Sequence, residues 1–259
     1  MDAPRPRPAA PDGALAGQVA VITGAGRGIG RAIALDWARA GAAVVLAART
    51  RSEIDAVAAE IGDAGGRALA VGTDVTDPHQ VHTLFARAAA ELGGVDLVLA
   101  NAGGTFPHGN VADGDFEAWR ATFTLNVDGV YLTARAAAPH LRHRGGGKIL
   151  VMGSGAGRRA GPGWAPYASA KAAVSMLVRV LAQELRSDHV AVNEIIPGPV
   201  HTELAHRIGP TLPVAGVVAG VATEWFKQPD DVAGLARFLA QLPNDGPTGQ
   251  TYSLLGRDL

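Results

Sequence analysis

The sequence predicts an α/β fold built on a parallel sheet with helices on both of its faces. Short apolar runs alternate with longer helix-like segments along nearly the whole chain, which is typical of such folds. Several of these runs are apolar on both faces, as expected of parallel strands that are covered on both sides. The glycine-rich segment TGAGRGIG, residues 23–30, follows the first run at the point where a strand would pass into a helix.

Seven apolar and β-branched segments are predicted as strands, and six amphipathic segments as helices. The predicted strands are residues 18–23, 43–48, 67–75 (with its exit loop), 95–100, 148–153, 190–196 and 251–255. The predicted helices are residues 29–40, 52–61, 77–92, 116–143, 167–186 and 229–240. This alternation in a chain of 259 residues predicts a single-domain, doubly wound Rossmann-type sheet.

Single residues account for several of the predicted helix boundaries. Gly41 follows the first helix and ends it. Ser52 is predicted to cap the second helix, and Pro78 suits the first turn of the third. Pro139 is expected to bend the later part of the helix over 116–143, because proline lacks the amide hydrogen that a helix interior uses.

The composition excludes several classes of function. The chain has no cysteine, which rules out disulfides and thiol catalysis and fits a reducing cytoplasm. Net charge is −1 with no basic tract, so no nucleic-acid partner is predicted. No apolar stretch approaches the roughly 20 residues that cross a bilayer, and no pattern of metal ligands is present. The sequence therefore predicts a cytoplasmic enzyme with neither a metal nor a membrane partner.

The glycine-rich segment is predicted to bind the phosphates of a dinucleotide. Gly24, Gly28 and Gly30 remove side chains where the backbone must turn and approach a ligand closely. The helix that follows points free amide groups and the positive end of its dipole at a pyrophosphate. An ordinary tight turn between strand and helix is the alternative, and the surrounding strand and helix favour the nucleotide site.

A second group of residues suggests proton transfer. Tyr167 and Lys171 are four residues apart and share a face of a helix, and Ser154 lies 13 residues before the tyrosine. A nearby ammonium stabilises a phenolate, so Lys171 is expected to lower the pKa of Tyr167. Ser154 could orient a carbonyl oxygen toward that phenol. Taken alone, Tyr167 and Lys171 would more often be a plain pair on an amphipathic helix.

These motifs together resemble the short-chain dehydrogenase/reductase family over about residues 15–255. The resemblance implies that Ser154, Tyr167 and Lys171 are catalytic, with Asn126 of LNVDG helping to hold a water that links the lysine to solvent. Asn101-Ala102-Gly103 is similar to the family's Asn-Ala-Gly motif beside the cofactor. The resemblance also implies a homotetramer or dimer formed by the helices over 116–143 and 165–187.

The implied cofactor site combines the glycine segment with residues that follow later strands. It comprises Gly24, Arg27, Gly28, Ile29, Gly30, Arg49, Asp74, Val75, Asn101, Ala102, Gly103, Tyr167, Lys171, Pro197, Gly198, Val200 and Thr202. In the family that this chain resembles, the pair matching Asp74-Val75 contacts adenine. The residues matching Val200 and Thr202 hold the carboxamide of the nicotinamide.

Two arginines favour NADP(H) over NAD(H). The second predicted strand ends without the acidic residue that would bind a ribose 2′-hydroxyl, and Glu53 comes too late, inside the next helix. Arg49 at that strand end, and Arg27 inside the glycine segment, are suited to a 2′-phosphate. Each arginine taken alone could be a solvated surface side chain.

The sequence thus predicts an NADP(H)-dependent enzyme that interconverts a ketone and a secondary alcohol. A 3-oxoacyl thioester, a polyketide-like ketone and an aryl ketone remain open as substrates. Residues 1–14 are expected to be a flexible tail and residues 15–259 one domain. Within it, 203–227 resembles the family's substrate lid, and Phe106, Trp164 and Trp225 are candidate pocket residues. An NAD-dependent alcohol dehydrogenase, or a non-catalytic dinucleotide sensor, are the alternatives.

Overall fold

A seven-stranded parallel sheet forms the centre of the protein, in the order β3-β2-β1-β4-β5-β6-β7. The computed structural model describes residues 13–106, 109–159, 161–203 and 226–255. The strands are β1 Val19–Thr23, β2 Ala43–Ala48, β3 Ala68–Gly72, β4 Leu97–Ala100, β5 Gly147–Met152, β6 Val190–Ile196 and β7 Thr251–Ser253. All neighbouring strands in it pair in parallel, as the sequence predicted.

Seven α-helices connect these strands within the described ranges. They are α1 Gly28–Arg39, α2 Arg51–Asp63, α3 Pro78–Leu92, α4 Phe116–Phe123, α5 Gly129–His143, α6 Ala165–Glu184 and α7 Pro229–Gln241. A π-helical turn over Thr124–Asp128 joins α4 to α5, and short 3-10 helices cover Gly155–Arg158 and Arg186–Asp188. Among the described residues, no helix is both long and apolar enough to cross a membrane.

Alternate residues of the central strand β1 pack into two separate cores. Ala20 and Ile22 belong to the core that includes residues of α1, α2 and α7. Val19 and Val21 face the other side, where the core includes residues of α3, α5 and α6. Burial of each large aliphatic side chain contributes about 1.5–3 kcal/mol, so both faces stabilise the sheet. This arrangement confirms the predicted sheet with helices on both faces.

The strand order determines where a ligand can bind. β1 pairs with β2 on one side and with β4 on the other. Strands β1 to β3 therefore extend toward one edge of the sheet and β4 to β7 toward the other, so the strand order switches between β1 and β4. In doubly wound sheets, ligands bind in the crevice beyond the carboxyl ends of the strands at such a point. The loops after β1, β4 and β5 carry the predicted site residues to that edge.

The predicted cap of the second helix is wrong. Helix α2 begins at Arg51 with Thr50 at its N-cap, and no side chain caps it, so Ser52 lies within the first turn. Helix α3 does begin as its Asp-Pro sequence suggested, because Asp77 accepts hydrogen bonds from the amides of His79 and Gln80. Asp77 therefore supplies the acceptor that helix starts favour.

The long predicted helix over 116–143 is two helices joined by a π-turn. The widened turn at Thr124–Asp128 contains Asn126, which is fully buried. Helix α5 continues past Pro139 to His143. Single π-turns inside helices frequently occur at functional sites, and the amphipathic pattern that predicted one helix over 116–143 does not reveal them. Helix α6 begins at Ala165, two residues earlier than predicted.

Candidate active site

The glycine-rich segment forms a tight loop between β1 and α1. Gly24 and Gly28 have φ values of 65° and 55°, a region that favours glycine. A Cβ at Gly24 would lie 2.8 Å from the side-chain nitrogen of Asn101, and a Cβ at Gly30 would overlap the carbonyl oxygen of Gly24. Helix α1 begins at Gly28 without a side-chain cap. Its first amides thus remain available to a phosphate, so the loop fits a dinucleotide.

Thr23 and Asn101 hold this loop against the end of β4. The Thr23 hydroxyl accepts hydrogen bonds from the amides of Asn101 (3.0 Å) and Ala102 (3.1 Å). The Asn101 side chain donates to the carbonyl oxygens of Thr23 (2.9 Å) and Gly24 (3.2 Å). Asn101 was predicted only as a cofactor contact, and it also fastens the two loops together. The positioning role of Thr23 was not predicted, although its place before Gly24 was visible.

We expect Gly30→Ala to abolish measurable NADPH binding, because its new methyl group would meet backbone atoms that cannot rotate away. Overpacking of this kind also costs about 1–3 kcal/mol of folding free energy. Titration of NADPH fluorescence and thermal unfolding measure the two effects. Gly62→Ala in α2 is the matched control, because nothing lies within 4 Å of its added Cβ, and it should bind normally. Unchanged NADPH affinity in Gly30→Ala would contradict the placement of the phosphates.

Arg27 and Arg49 differ in their surroundings. The Arg27 guanidinium lies 2.7 Å from Glu203 and 3.6 Å from Glu53. Arg49 follows β2 and is exposed. Glu53 was predicted to be too far along the chain to matter, but its carboxylate lies 2.8 Å from the position of a Cβ at Gly26. The expectation that no acid reaches this edge of the site is therefore wrong, because the first turn of α2 folds back over the glycine loop.

The remaining predicted cofactor residues lie on loops beyond other strands. Asp74 follows β3, and its carboxylate accepts hydrogen bonds from the amide and hydroxyl of Thr76 (3.0 and 2.8 Å). Val75 is buried and packs against Gly129, where an added Cβ would lie 2.9 Å from its methyl group. Ile29 is half-buried in the first turn of α1. Asp74 and Val75 thus border the crevice while serving local structure.

The segment after β6 approaches the glycine loop. Pro197 and Gly198 follow Ile196, and Gly198 has a φ of 69°. Val200 is buried and forms an isolated bridge with Lys227. The methyl group of Thr202 lies 3.4 Å from the position of a Cβ at Gly28. The two ends of the predicted cofactor site, far apart in sequence, are therefore neighbours.

Asn126 is held rigidly by the loop after β4. Its side-chain amide donates to the carbonyl oxygens of Gly104 (2.6 Å) and Thr122 (2.8 Å), and its oxygen accepts from the Gly104 amide (3.2 Å). A Cβ at Gly103 would lie 2.9 Å from the Asn126 oxygen and 3.4 Å from the Lys171 nitrogen. Asn126 and Lys171 thus meet on either side of the Asn-Ala-Gly loop.

Ser154 lies beside Tyr167, close enough to lower the pKa of its phenol. Ser154 follows β5 and starts the 3-10 helix over Gly155–Arg158, where its oxygen also accepts from the Ala156 amide (3.2 Å). Tyr167 lies in the first turn of α6. Gly157 permits this meeting, since its Cβ would lie 2.9 Å from backbone atoms of Lys171 and Ala172. The sequence did not single out Gly157.

Lys171 is buried beneath Tyr167. Its ammonium donates to the carbonyl oxygen of Met152 (2.9 Å) and lies 5.8 Å from the centre of the tyrosine ring. Burial lowers the pKa of Lys171 from 10.5 to about 8, and the charge of Glu194 acts in the opposite direction. At neutral pH the ammonium is therefore charged but close to releasing its proton, a state suited to proton exchange.

The predicted lowering of the Tyr167 pKa is wrong for the protein by itself. Burial raises the pKa of the phenol above 10, and the hydrogen bond with Ser154 only partly opposes this effect. The cause is the position of Lys171, whose ammonium is directed at a backbone carbonyl and not at the phenol oxygen. The protonated phenol is the form that a general acid needs.

The described part of the chain holds two of the three predicted pocket residues. Phe106 is 37% exposed after β4, and Trp164 is half-buried directly before α6. Trp225 and most of the predicted segment 203–227 lie outside the described residues, as do residues 1–12. Among the described residues, no group of three or more histidine, aspartate or glutamate side chains could hold a metal ion.

Comparisons with known proteins agree with this geometry. Residues 18–213 match the family model described as short chain dehydrogenase. An NADPH-dependent aldehyde reductase-like protein of Arabidopsis thaliana is 34% identical, over 82% of this chain and 90% of its own. A 3-oxoacyl-[acyl-carrier-protein] reductase of Synechocystis is 35% identical, over 94% of this chain and 97% of its own.

A solved structure is similar over nearly the whole fold. It is described as 7 alpha-hydroxysteroid dehydrogenase complexed with NADH and 7-oxo glycochenodeoxycholic acid. The two chains superpose with a TM-score of 0.85 at 33% identity, covering 93% of this chain and 94% of the other. Because the family model matches most of the sequence, the chain belongs to the short-chain dehydrogenase family and is an oxidoreductase acting on carbonyl and alcohol groups.

Proposed function

We propose that this enzyme is an NADP(H)-dependent reductase that interconverts a ketone and a secondary alcohol. Asn126, Ser154, Tyr167 and Lys171 are its reaction centre in this proposal. The observation that carries it is the placement of Tyr167 over the buried Lys171, with Ser154 beside the phenol. The π-turn between α4 and α5, the loop after β5 and helix α6 would have no reason to bring these four polar groups together for packing alone.

The chain's own residues would orient the carbonyl and move the proton. A bound reduced nicotinamide would supply the hydride that the carbonyl carbon accepts. Ser154 would donate a hydrogen bond to the substrate oxygen and aim it at Tyr167. Tyr167 would transfer its phenolic proton to that oxygen as the negative charge develops. This arrangement combines general acid catalysis with the positioning of two reactants.

Lys171 and Asn126 would restore the proton to Tyr167. The ammonium of Lys171 would stabilise the phenolate that remains after proton transfer, and it would also contact the cofactor ribose. Its pKa of about 8 suits release and recapture of a proton near neutral pH. Asn126, fixed by three hydrogen bonds to Gly104 and Thr122, would hold the water that connects Lys171 to solvent.

The two arginines at the adenosine end support NADP(H). Arg27 and Arg49 would contribute two positive charges to a 2′-phosphate, and guanidinium groups suit phosphate oxygens. Glu53 and Glu203 lie beside Arg27 and favour the opposite preference. One relative is named as NADPH-dependent, and one similar structure contains NADH. NAD-dependent alcohol oxidation therefore remains the second candidate, favoured specifically by Glu53.

We further propose a moderately apolar ketone as substrate and self-association of the chain. Relatives are named for reactions on a 3-oxoacyl carrier protein and on a hydroxysteroid, both of which carry the reacting group on an extended apolar body. Exposed apolar side chains on α4, α5 and α6 support a homodimer or homotetramer. These side chains are Phe116, Tyr131, Met176 and Val180.

The test is a panel of ketones assayed with each cofactor. A 3-oxoacyl thioester, a cyclic polyketide-like ketone, an aryl ketone and a 7-oxo steroid would be followed by NADPH and NADH absorbance. We expect turnover of at least one ketone, with kcat/KM for NADPH about tenfold or more above that for NADH. A preference for NADH would support the second candidate. Tight NADPH binding without turnover of any carbonyl would support a non-catalytic sensor.

A further inference from the structure

Glu194 is a fully buried carboxylate within the sheet, one strand from its edge. It lies in β6, and its two oxygens accept hydrogen bonds from the hydroxyls of Ser175 (2.6 Å) and Thr251 (2.7 Å). A carboxylate in a protein interior is costly unless hydrogen bonds and an opposite charge compensate it. The two hydroxyl groups supply the hydrogen bonds but no positive charge, so a cation is expected near Glu194.

The Glu194 carboxylate lies against the strand that carries the reaction centre. A Cβ at Gly153 would overlap its oxygen, so the absence of a side chain at that position makes room for the carboxylate. Gly153 stands between Met152, whose carbonyl accepts the hydrogen bond from Lys171, and Ser154. Glu194 is therefore packed directly beneath the backbone that positions both groups.

A second contact connects Glu194 to the helix of Lys171. Ser175 is one turn beyond Lys171 on α6. Its hydroxyl oxygen lies 3.2 Å from the carbonyl oxygen of Lys171 and 2.6 Å from the Glu194 carboxylate. The carboxylate thus contacts the surroundings of Lys171 from the strand side and from the helix side.

The electrostatics point in the same direction. Burial lowers the pKa of Lys171 to about 8, and Glu194 opposes this by favouring the charged ammonium. Tyr167 is the other titratable group beside the ammonium, at 5.8 Å from its ring centre. The π-turn, the 3-10 helix and α4 carry their charges on exposed side chains, namely Asp128, Arg158, Glu117 and Arg120. Strand β5 carries the buried Lys148 at its other end, where the ammonium donates to Asn244.

We propose that Glu194 is a positioning residue whose buried negative charge keeps Lys171 in its ammonium form and so maintains the proton supply of Tyr167. This inference rests on the catalytic role of Lys171 proposed above. Without Glu194, the ammonium would lose the opposite charge that favours it and would release its proton at lower pH. Glu194 acts through Lys171 and does not itself contact the substrate.

The lysine content of the chain makes a direct test possible. It contains only three lysines, Lys148, Lys171 and Lys227, so lysine labelled with ¹³C at Cε should give three resolvable NMR signals. Replacing one lysine at a time assigns them. We expect Lys171 to titrate near pH 8 in the native protein. In Glu194→Gln its midpoint should fall by about one pH unit, since the opposite charge is removed.

Glu194→Asp is the charge-retaining variant and should restore most of the native midpoint. The Lys148 signal is an internal control, because its ammonium donates to Asn244 at the amino-terminal end of β5. It should titrate alike in all variants. The alkaline limb of kcat/KM for carbonyl reduction should move down by the same amount as the Lys171 midpoint. A purely structural role would lower the melting temperature without moving either titration.

An unchanged Lys171 midpoint in Glu194→Gln would overturn the inference. If that variant does not fold, Glu194→Met removes the charge without requiring hydrogen bonds and must show the same shift. Failure of the proposed function is distinguishable, because a protein without carbonyl reductase activity would still give the NMR titration.

Discussion

Tyr167→Phe is expected to reduce kcat for carbonyl reduction by about 10²–10⁴-fold, the range that a positioned general acid contributes. The change removes one oxygen atom and keeps the ring that lies over Lys171. The dissociation constant for NADPH should stay within about threefold of the native value, a difference of less than 1 kcal/mol. Rapid-quench or steady-state assays give kcat, and fluorescence titration gives the affinity.

The reason for so large an effect is that the phenol is both protonated and held in position. Burial raises the Tyr167 pKa, so at neutral pH the phenol carries the proton that the developing alkoxide requires. Ser154 lies beside the phenol, directly before the 3-10 helix that approaches α6 closely at Gly157. A water molecule in place of the lost hydroxyl would not be held in the same orientation. The orientation of the proton donor accounts for much of the catalytic gain.

Tyr252→Phe is the matched control for this prediction. It makes the same chemical change at a half-buried tyrosine of β7 that packs against the core of α1, α2 and α7. We expect native kcat and native affinity in this variant. Retention of more than about a tenth of native kcat in Tyr167→Phe would reject the assignment of the general acid.

Arg49→Asp is expected to lower kcat/KM for NADPH by about 10–100-fold, because a charge-assisted contact of 1.5–3 kcal/mol is replaced by repulsion. The same change should raise kcat/KM for NADH, since an acid at the end of the second strand can accept a hydrogen bond from the ribose 2′-hydroxyl. The preference would then reverse. Steady-state rates with both cofactors at equal concentration measure it.

Replacing Arg49 changes the charge at the 2′-phosphate more selectively than replacing Arg27, because the two arginines have different neighbours. Arg27 already contacts Glu203 and Glu53, so its replacement would also release two carboxylates near the ligand. Arg67→Asp is the matched control, an exposed arginine just before β3 at the amino edge of the sheet, and it should leave the cofactor preference unchanged. If Arg49→Asp kept the native ratio of NADPH to NADH rates, the 2′-phosphate would have to be bound elsewhere.

Much of this arrangement could be predicted from local patterns. Parallel strands buried on both faces are mostly apolar, and β2 and β4 consist of apolar residues alone. Tyr167 and Lys171 are four residues apart on one helix, so their shared face follows from helix geometry alone. The glycine spacing of the first loop likewise reflects backbone requirements that are local.

Other features depend on contacts between distant segments. Glu53 belongs to α2 but reaches the glycine loop because the chain turns back after β2. The π-turn that buries Asn126 forms where its side chain finds Gly104, 22 residues away. Glu194 is a charged residue in a mostly apolar strand, and the sequence of that strand does not show what accommodates it. In the structure the hydroxyls of Ser175 and Thr251 donate to its carboxylate.

The sequence by itself determined the parallel sheet with helices on both faces and the order of its elements along the chain, since periodicity, glycine and chain spacing act locally. The resemblance to the family indicated the four polar residues that we propose as the reaction centre. Only the tertiary structure decided the charge states within that centre. A pKa depends on burial and on which groups meet across the fold. Burial lowers the pKa of Lys171, whose ammonium donates to the Met152 carbonyl, and raises the pKa of the Tyr167 phenol, which therefore keeps its proton.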